Sequence, residues 1–517
     1  MIGALAGVAL LAATGNALDH RSAQPGSCDG LQQVAPDALV ACLQAGPVDL
    51  LGATITGPLD LTAIDVVPHP FRCVDCTFVG DVTVADVTFD RLIAFERVVI
   101  DGDLDARGAR FAGAVLARGQ RLGEPSGVRG DADFSLARFE EALQLDSTRF
   151  AGAVSFEGAR FEGSVSMAGT DIEGPANFDR IVAAESFAMG GPDPFDPAGP
   201  NGAAQDVVTL RNATFEGDLD LVARRFHAGL VATGARVAGR MTLRSAVVTG
   251  DVDFERVTVS DLDATGLEVT GPQGNCAQRT SGTGSGTLDL SDLRAESITL
   301  AHAVVDELVL QGAQVTGRAN IELAVLTCDA SFDGLTADSL TVDLSAVDRA
   351  GPAARQSMYQ TVVETATEAG DLELANEATY RRYVDLNRGD AWPKATLDTV
   401  FYRGMAGYMV KPLRPLVCLL LLWLVGTTVR YLASIRQPAA DGPALTVADH
   451  LGVALGEAGR AIIRPTPKLP AGSNLLTWGS IARLAEYLAS KILLVILVIA
   501  ISNNSNALDK VVEAVLP

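Results

Sequence analysis

Acidic residues recur in close sets: Asp101/Asp103/Asp105, Asp131/Asp133, Asp218/Asp220, Asp251/Asp253 and Asp261/Asp263. Carboxylates so spaced are the equipment of a glycan-cleaving enzyme, one acting as acid and another as base, or of a calcium site. The spacing has a second source, a repeat that carries one outward-pointing position onto the next. On a coil of 22 residues, Asp218 stacks over Arg240 and Arg149 over Asp171. Exposed pairs of that kind carry little energy. We read the carboxylates this second way, as solvation of the outer faces, and expect no enzyme and no catalytic residue.

The cysteines are the next reactive groups. Cys28, Cys42, Cys73, Cys76, Cys276 and Cys328 lie in the first two thirds, and Cys418 lies in an apolar run. In an oxidising compartment six cysteines can make three disulfides. The pairing expected is Cys28–Cys42 across a small helix, Cys73–Cys76 locally, and Cys276–Cys328, one of the 15 arrangements that six cysteines allow. The tight pair Cys73-Val74-Asp75-Cys76 has only His69 beside it, too little for a metal. A redox CxxC needs a strand–helix context, and its flanks read as strand. His20, His69, His227, His302 and His450 have no ligand spacing, so neither metal nor cofactor is expected. Gly282-Thr283-Gly284-Ser285-Gly286 lacks the helix that a phosphate loop must open, because strand pattern resumes at Leu288. Glu486 and Lys491 sit in an apolar run near the C-terminus. Charges there are often functional, but both lie near one end, and the reading preferred is that they snorkel to the interface.

These residues are positioned by a fixed period. Phe139, Phe150, Phe161 and Ile172 are each eleven residues apart. So are Leu145, Phe156, Met167 and Phe178. The pattern opens with Phe78, Phe89, Ile100 and Phe111. It returns at Phe215, Phe226, Val237, Val248 and Val259, and fades through Val304, Val315 and Leu326. The unit reads F-x-G-x-L-x-F-x-x-A-x. Its apolar places alternate with period two, which makes each a strand of two or three residues. Eleven residues cannot bury a core alone, but two units make one coil, and coils stack at about 4.8 Å. An eleven-residue repeat also suits a supercoiled helix, though not with Gly, Val, Thr and Phe at these rates. The stretches Gly119 to Gly130, Gly190 to Ala204 and Gly271 to Gly286 break the array. They predict corner loops, where a binding function would sit. Residues 28 to 48 predict a helical cap over the first coil.

Ala109-Arg110-Phe111-Ala112-Gly113, Ala159-Arg160-Phe161-Glu162-Gly163 and Ala213-Thr214-Phe215-Glu216-Gly217 make the chain resemble the pentapeptide-repeat proteins over residues 50 to 345. The resemblance implies a right-handed, four-sided parallel β-helix. The chain departs from it by alternating steps of five and six in place of strict fives. From Pro352 the pattern turns helical, with a hairpin bending at Gly370-Asp371. That segment and Leu413-Arg414-Pro415 look like the module following the repeats in membrane-anchored relatives, some of which continue into a two-helix ion-channel domain. No Thr-Val-Gly-Tyr-Gly filter stands between the spans here.

Leu413 to Leu432 and Leu484 to Ile501 are apolar enough to cross a membrane. Leu445 to Ile463 reads as an amphipathic helix. Ile2 to Ala13 reads as the core of a signal peptide. The organisation expected is signal peptide 1–18, helical cap 19–49, β-solenoid 50–348, helical neck 349–411, spans 412–433 and 484–502 joined by 434–483, and a tail 503–517. The class is mainly β, a right-handed parallel β-helix with a C-terminal helical hairpin and two transmembrane helices. The net charge of −23 excludes a general nucleic-acid binder. Lysine is absent before Lys394, the codon bias of a GC-rich bacterial genome. Together these predict a non-catalytic scaffold of the bacterial envelope. Its solenoid lies outside the membrane and binds another envelope protein or polymer, and its copies associate through the spans. The alternatives are a degenerate channel or transport accessory and a glycan-active enzyme. Acidity also suggests a DNA mimic acting on gyrase, but an exported chain would not meet that cytosolic target.

Overall fold

The computed structural model describes residues 28, 30–119, 126–190, 202–271, 285–347, 352–387, 403, 411, 413–436, 446–463 and 478–502. The expected signal peptide, the tail, Cys276 and most of the three insertions lie outside these residues. The chain is a parallel β-solenoid followed by helices. It forms two units, Met1–Thr242 and Leu243–Pro517.

In the first unit one coil shows the design. Strands Leu143–Gln144, Arg149–Phe150, Val154–Ser155 and Arg160–Phe161 follow one another around four faces. Val165–Ser166 then closes the turn by pairing in register with Leu143–Gln144. The strands therefore start at 143, 149, 154, 160 and 165, so steps of six and five alternate. Two long and two short steps still close a four-sided coil, and the departure from strict fives leaves the cross-section intact.

Register puts like upon like. Phe150 pairs with Ile172, and both are buried. Phe89, Phe111, Phe139 and Phe161 form a column with ring centroids 5.4, 4.8 and 5.2 Å apart. Phe134, Phe156 and Phe178 form a second, at 4.7 and 5.2 Å. These spacings follow the distance between adjacent strands, because each ring hangs from a strand one coil above the last. Each buried Phe contributes about 1.5–3 kcal/mol by leaving water, and each stacked pair about 0.5–1.5 kcal/mol more.

The glycines at the third place of the unit are required mainly for space. A Cβ on Gly102, Gly130 or Gly152 would overlap an aspartate carboxylate of the coil before. On Gly113 or Gly163 it would overlap backbone. The left-handed conformation falls elsewhere, at a corner returning every eleven residues: Leu136, Ser147, Gly158, Gly169 and Arg180. At the start of the unit, strand Gln33–Val34 pairs with Thr54–Ile55. Helix α1 (Pro36–Ala45) buries Leu39 and Leu43 and begins with proline at its first helical turn.

In the second unit the strands lengthen. Arg294–Thr299, Gln314–Ile321 and Thr336–Val342 pair in parallel, with register shifts after Ala295 and Val315. Leu and Val replace most of the Phe in its core. A short helix α2 (Leu344–Val347) precedes the hairpin of α3 (Pro352–Glu368) and α4 (Leu372–Leu386). Met358, Tyr359 and Val362 of α3 are fully buried, and the Thr365 hydroxyl donates to the Leu335 carbonyl of the solenoid. The hairpin thus packs on the last strands, whose edge would otherwise template another chain. Gly370 takes a positive φ of 76°, and Asp371 caps α4 by accepting from the Leu374 amide.

Phe156→Ala removes a ring held between Phe134 and Phe178. It should lower the unfolding free energy of the β-solenoid by about 3–5 kcal/mol, and Phe156→Leu by clearly less. Urea unfolding followed by circular dichroism checks both.

Candidate functional site

The acidic sets are the first candidate, and their carboxylates are engaged. Asp81 accepts from the Asp103 amide at 2.9 Å, Asp103 from the Asp131 amide at 2.8 Å, and Asp131 from the Ala153 amide at 2.8 Å. Each step climbs one coil. Asp218 accepts the Arg240 amide in the same manner, and Asp251 the Thr287 amide. The last member of each set turns to its own chain. Asp105, Asp133, Asp220, Asp253 and Asp263 each accept from the amide two residues on. Asp261 accepts from the Ser297 hydroxyl, and Asp101 from the Arg129 guanidinium. These carboxylates therefore bind coil to coil and shape the corners.

This corrects the reading of the sets as solvation alone. Arg240 does meet Asp218, but through its backbone amide. Arg149 pairs in register with Asp171, yet its guanidinium turns to Glu173, with Nε 2.7 Å from Oε1. Where Gly and Asp adjoin, the carboxylate occupies part of the room that a Cβ on the next coil's glycine would take, and backbone occupies the rest. At two carboxyls the electrostatics run against acid catalysis. The Arg107 guanidinium, hydrogen-bonded to Asp105, holds that carboxyl below its usual range, and Arg110 does the same to Glu140. A general acid needs the opposite shift. Among the described residues no three metal-ligating side chains cluster.

The cysteines form structural links. Cys28 is bonded to Cys42, and Cys73 to Cys76. Cys328 is disulfide-bonded, and Cys276 lies outside the described residues. The first bond ties the segment before the cap to α1. The second closes around Asp75, whose φ of 56° is left-handed, and Asp75 also receives Arg97 at 2.5 Å.

The helices that follow carry the second candidate. Two of them, α5 (Leu413–Arg436) and α7 (Trp478–Ser502), are long and apolar enough to cross a membrane, and α6 (Val447–Ile463) lies between them in sequence. Val417, Leu424 and Val425 of α5 are half exposed or more, as are Ile492, Val495 and Val498 of α7. Glu486 has a partner. Arg430 grips it bidentately, at 2.9 and 2.6 Å, with both side chains largely buried. A Cβ on Gly426 would overlap the Glu486 carboxylate, so the pair needs glycine one turn before the arginine. The Lys491 ammonium donates to the Ile462 carbonyl at the end of α6, at 2.9 Å. Trp423 Nε1 donates to the Leu455 carbonyl at 3.4 Å. Sequence reasoning did not single out Arg430. It stands two residues inside Leu432, as Glu486 stands two inside Leu484, and that symmetry was the signal.

At the start of α5 the chain is pinned to α4. Lys411 reaches Glu377 at 2.5 Å, and Arg414 donates to the Tyr380 hydroxyl at 2.9 Å. Both cations lie over the Tyr380 ring, at 4.2 and 4.8 Å from its centroid.

With this geometry in hand, the comparisons with known proteins are brief. The family model described as Pentapeptide repeats (9 copies) matches residues 134–182. That stretch is pentapeptide repeat. It covers the coils where the Phe columns are most regular. No curated protein and no solved structure matches the chain. The pentapeptide coils are consistent with a non-catalytic role.

Asp131→Ala leaves the Ala153 amide without its acceptor and should cost about 1 kcal/mol, whereas Asp131→Asn keeps an acceptor and should cost less. Denaturant unfolding of the two variants checks the order. Glu377 gives a pH dependence. Burial raises its carboxyl, but the bonds from Lys411 and Arg381 outweigh that and hold it low. A lowered carboxyl stabilises above its unfolded value of about 4.3 and loses that contribution as pH falls through the folded value. Lys411→Gln should therefore destabilise by about 0.5 kcal/mol at neutral pH, and the difference should shrink below about pH 4. Thermal melts of the full chain in lipid nanodiscs check this.

Proposed function

We propose that the protein is a non-catalytic scaffold anchored in the cell envelope. In this reading α5 and α7 cross the membrane, and the β-solenoid stands on the extracytoplasmic side, where it binds another envelope protein or polymer. The observation that carries it is the pair of long helices whose apolar side chains face outward and whose buried charges are matched to one another. Apolar surface on that scale asks for lipid. A buried arginine–glutamate pair at matched depth is what an apolar layer tolerates. The bonded cysteines support an oxidising compartment for the solenoid. The engaged carboxylates weigh against the glycan-active alternative.

A second reading is favoured by one feature. The carbonyl of Leu455 meets α5 about 13 Å along the helix from Leu432, and that of Ile462 meets α7 about 10 Å from Leu484. A membrane-spanning α5 and α7 would place part of α6 inside the apolar layer, as a re-entrant helix. Such a helix is tolerated where it packs on protein or lines a cavity. This keeps a channel or transport accessory as the alternative, with association of copies through the spans.

Topology tests the first reading. Leu51→Cys places a thiol at an exposed position of the solenoid. In spheroplasts a membrane-impermeant maleimide should label it without permeabilisation, and the protein should remain in the membrane fraction after carbonate washing. Labelling only after permeabilisation would place the solenoid in the cytosol and end the extracytoplasmic reading. Conductance of the purified chain in liposomes decides the alternative: a silent wild type removes it, and a current abolished by Glu486→Gln supports it.

A further inference from the structure

Helix α6 has two sides, and its own chain uses one of them. At the pitch of an α-helix, Ala454 and Ala458 fall on one side with Leu455 and Ile462. Both alanines are buried, and the carbonyls of the other two receive Trp423 and Lys491. On the opposite side runs the stripe Asp449, Val453, Gly456 and Arg460, and all four are exposed. Its steps of four, three and four residues are those of a helix that packs on another helix.

The stripe complements itself. Laid against its own reverse, Asp449 meets Arg460 and Val453 meets Gly456. Val453 is 58% exposed. Gly456 has nothing within 4 Å of the place a Cβ would take, so it forms a notch that a valine can enter. Glu457, beside Arg460, falls opposite Gly452, which is equally open. Small residues four apart let helix backbones approach closely in a membrane. Asp449 lies in the first turn of α6 and Arg460 in the last, so an antiparallel pair also sets opposite dipole ends side by side. Asp449 takes the Thr446 amide and hydroxyl at Oδ2, at 3.0 and 2.6 Å. Among the described residues nothing bonds its Oδ1 or the Arg460 guanidinium.

The setting selects the partner. Leu455 and Ile462 meet the spans at depths that differ by only about 3 Å over about 10 Å of helix, so α6 runs closer to the membrane plane than to its normal. Lipid tails have nothing to offer an aspartate and an arginine. A two-fold axis along the normal brings the α6 of a second copy alongside, antiparallel, with both copies in one orientation across the membrane.

We propose that this stripe is the contact between two copies of the chain. The helices pair antiparallel about a point between Ala454 and Leu455, and each end is closed by Asp449 of one copy with Arg460 of the other. The contact rests on the reading in which α5 and α7 cross the membrane. It places association on α6, and not on the apolar outer faces of the spans.

The test uses the full chain with Cys418→Ser in liposomes at a low protein-to-lipid ratio. Val453 lies beside the two-fold axis, so Val453→Cys should give a disulfide-linked dimer under copper phenanthroline, read on a non-reducing gel. Leu451→Cys, exposed on the other side of the same helix, should give at least about tenfold less. On the Val453→Cys background, Arg460→Asp sets like charges together at both ends and should lower the yield at least about tenfold. Adding Asp449→Arg restores the pairing with its polarity reversed, and the yield should return. Gly456→Leu meets open space in a single copy, which keeps its fold, yet it fills the notch and should also lower the yield. Equal cross-linking at Val453 and Leu451, or a yield indifferent to Gly456→Leu, would overturn the proposal. A double swap no better than the single reversal would overturn the antiparallel register. Carbonate washing keeps the two readings apart. Protein that leaves the membrane ends the spanning helices, whereas protein that stays and remains monomeric ends this contact alone.

Discussion

The structure depends on one constraint: adjacent coils lie a strand spacing apart and share a register. Once residue i sits over residue i+22, every side chain is compared with its own image one coil away. Inside, that comparison favours identical flat or branched groups, which is why Phe stacks on Phe and Val on Val. At the corners it leaves no room, which is why glycine returns there. Outside, it would stack like charges, and the chain answers by giving the stacked carboxylates backbone amides to accept from.

The same constraint decided what was legible. The period of eleven and the inward columns could be read because they follow from apolar spacing alone, and the four-sided coil because the repeats resemble those of pentapeptide-repeat proteins. The helical hairpin at Gly370-Asp371 was legible for the same kind of reason, since turn and cap chemistry are local. The aspartates were misread in part. Their outward position was clear, but a hydrogen bond to a backbone amide one coil later leaves no mark on composition or hydropathy. The left-handed corner escaped too, because it is filled as readily by Leu136, Ser147 or Arg180 as by glycine.

In the helices, the charges read as strays proved to be partners. Glu486 and Lys491 lie on one helix and answer to two different elements, Arg430 of α5 and the end of α6. A hydropathy scan sees each as a defect in an apolar run. Three dimensions turn them into the links that fix which face of α7 meets which neighbour, and Gly426 is the space that makes the tighter link fit.

The row of Asp81, Asp103 and Asp131 has a direction. In each step the acceptor belongs to the earlier coil and the donor to the later one. The row therefore works as a seam: each carboxylate belongs to one layer and is satisfied by the next.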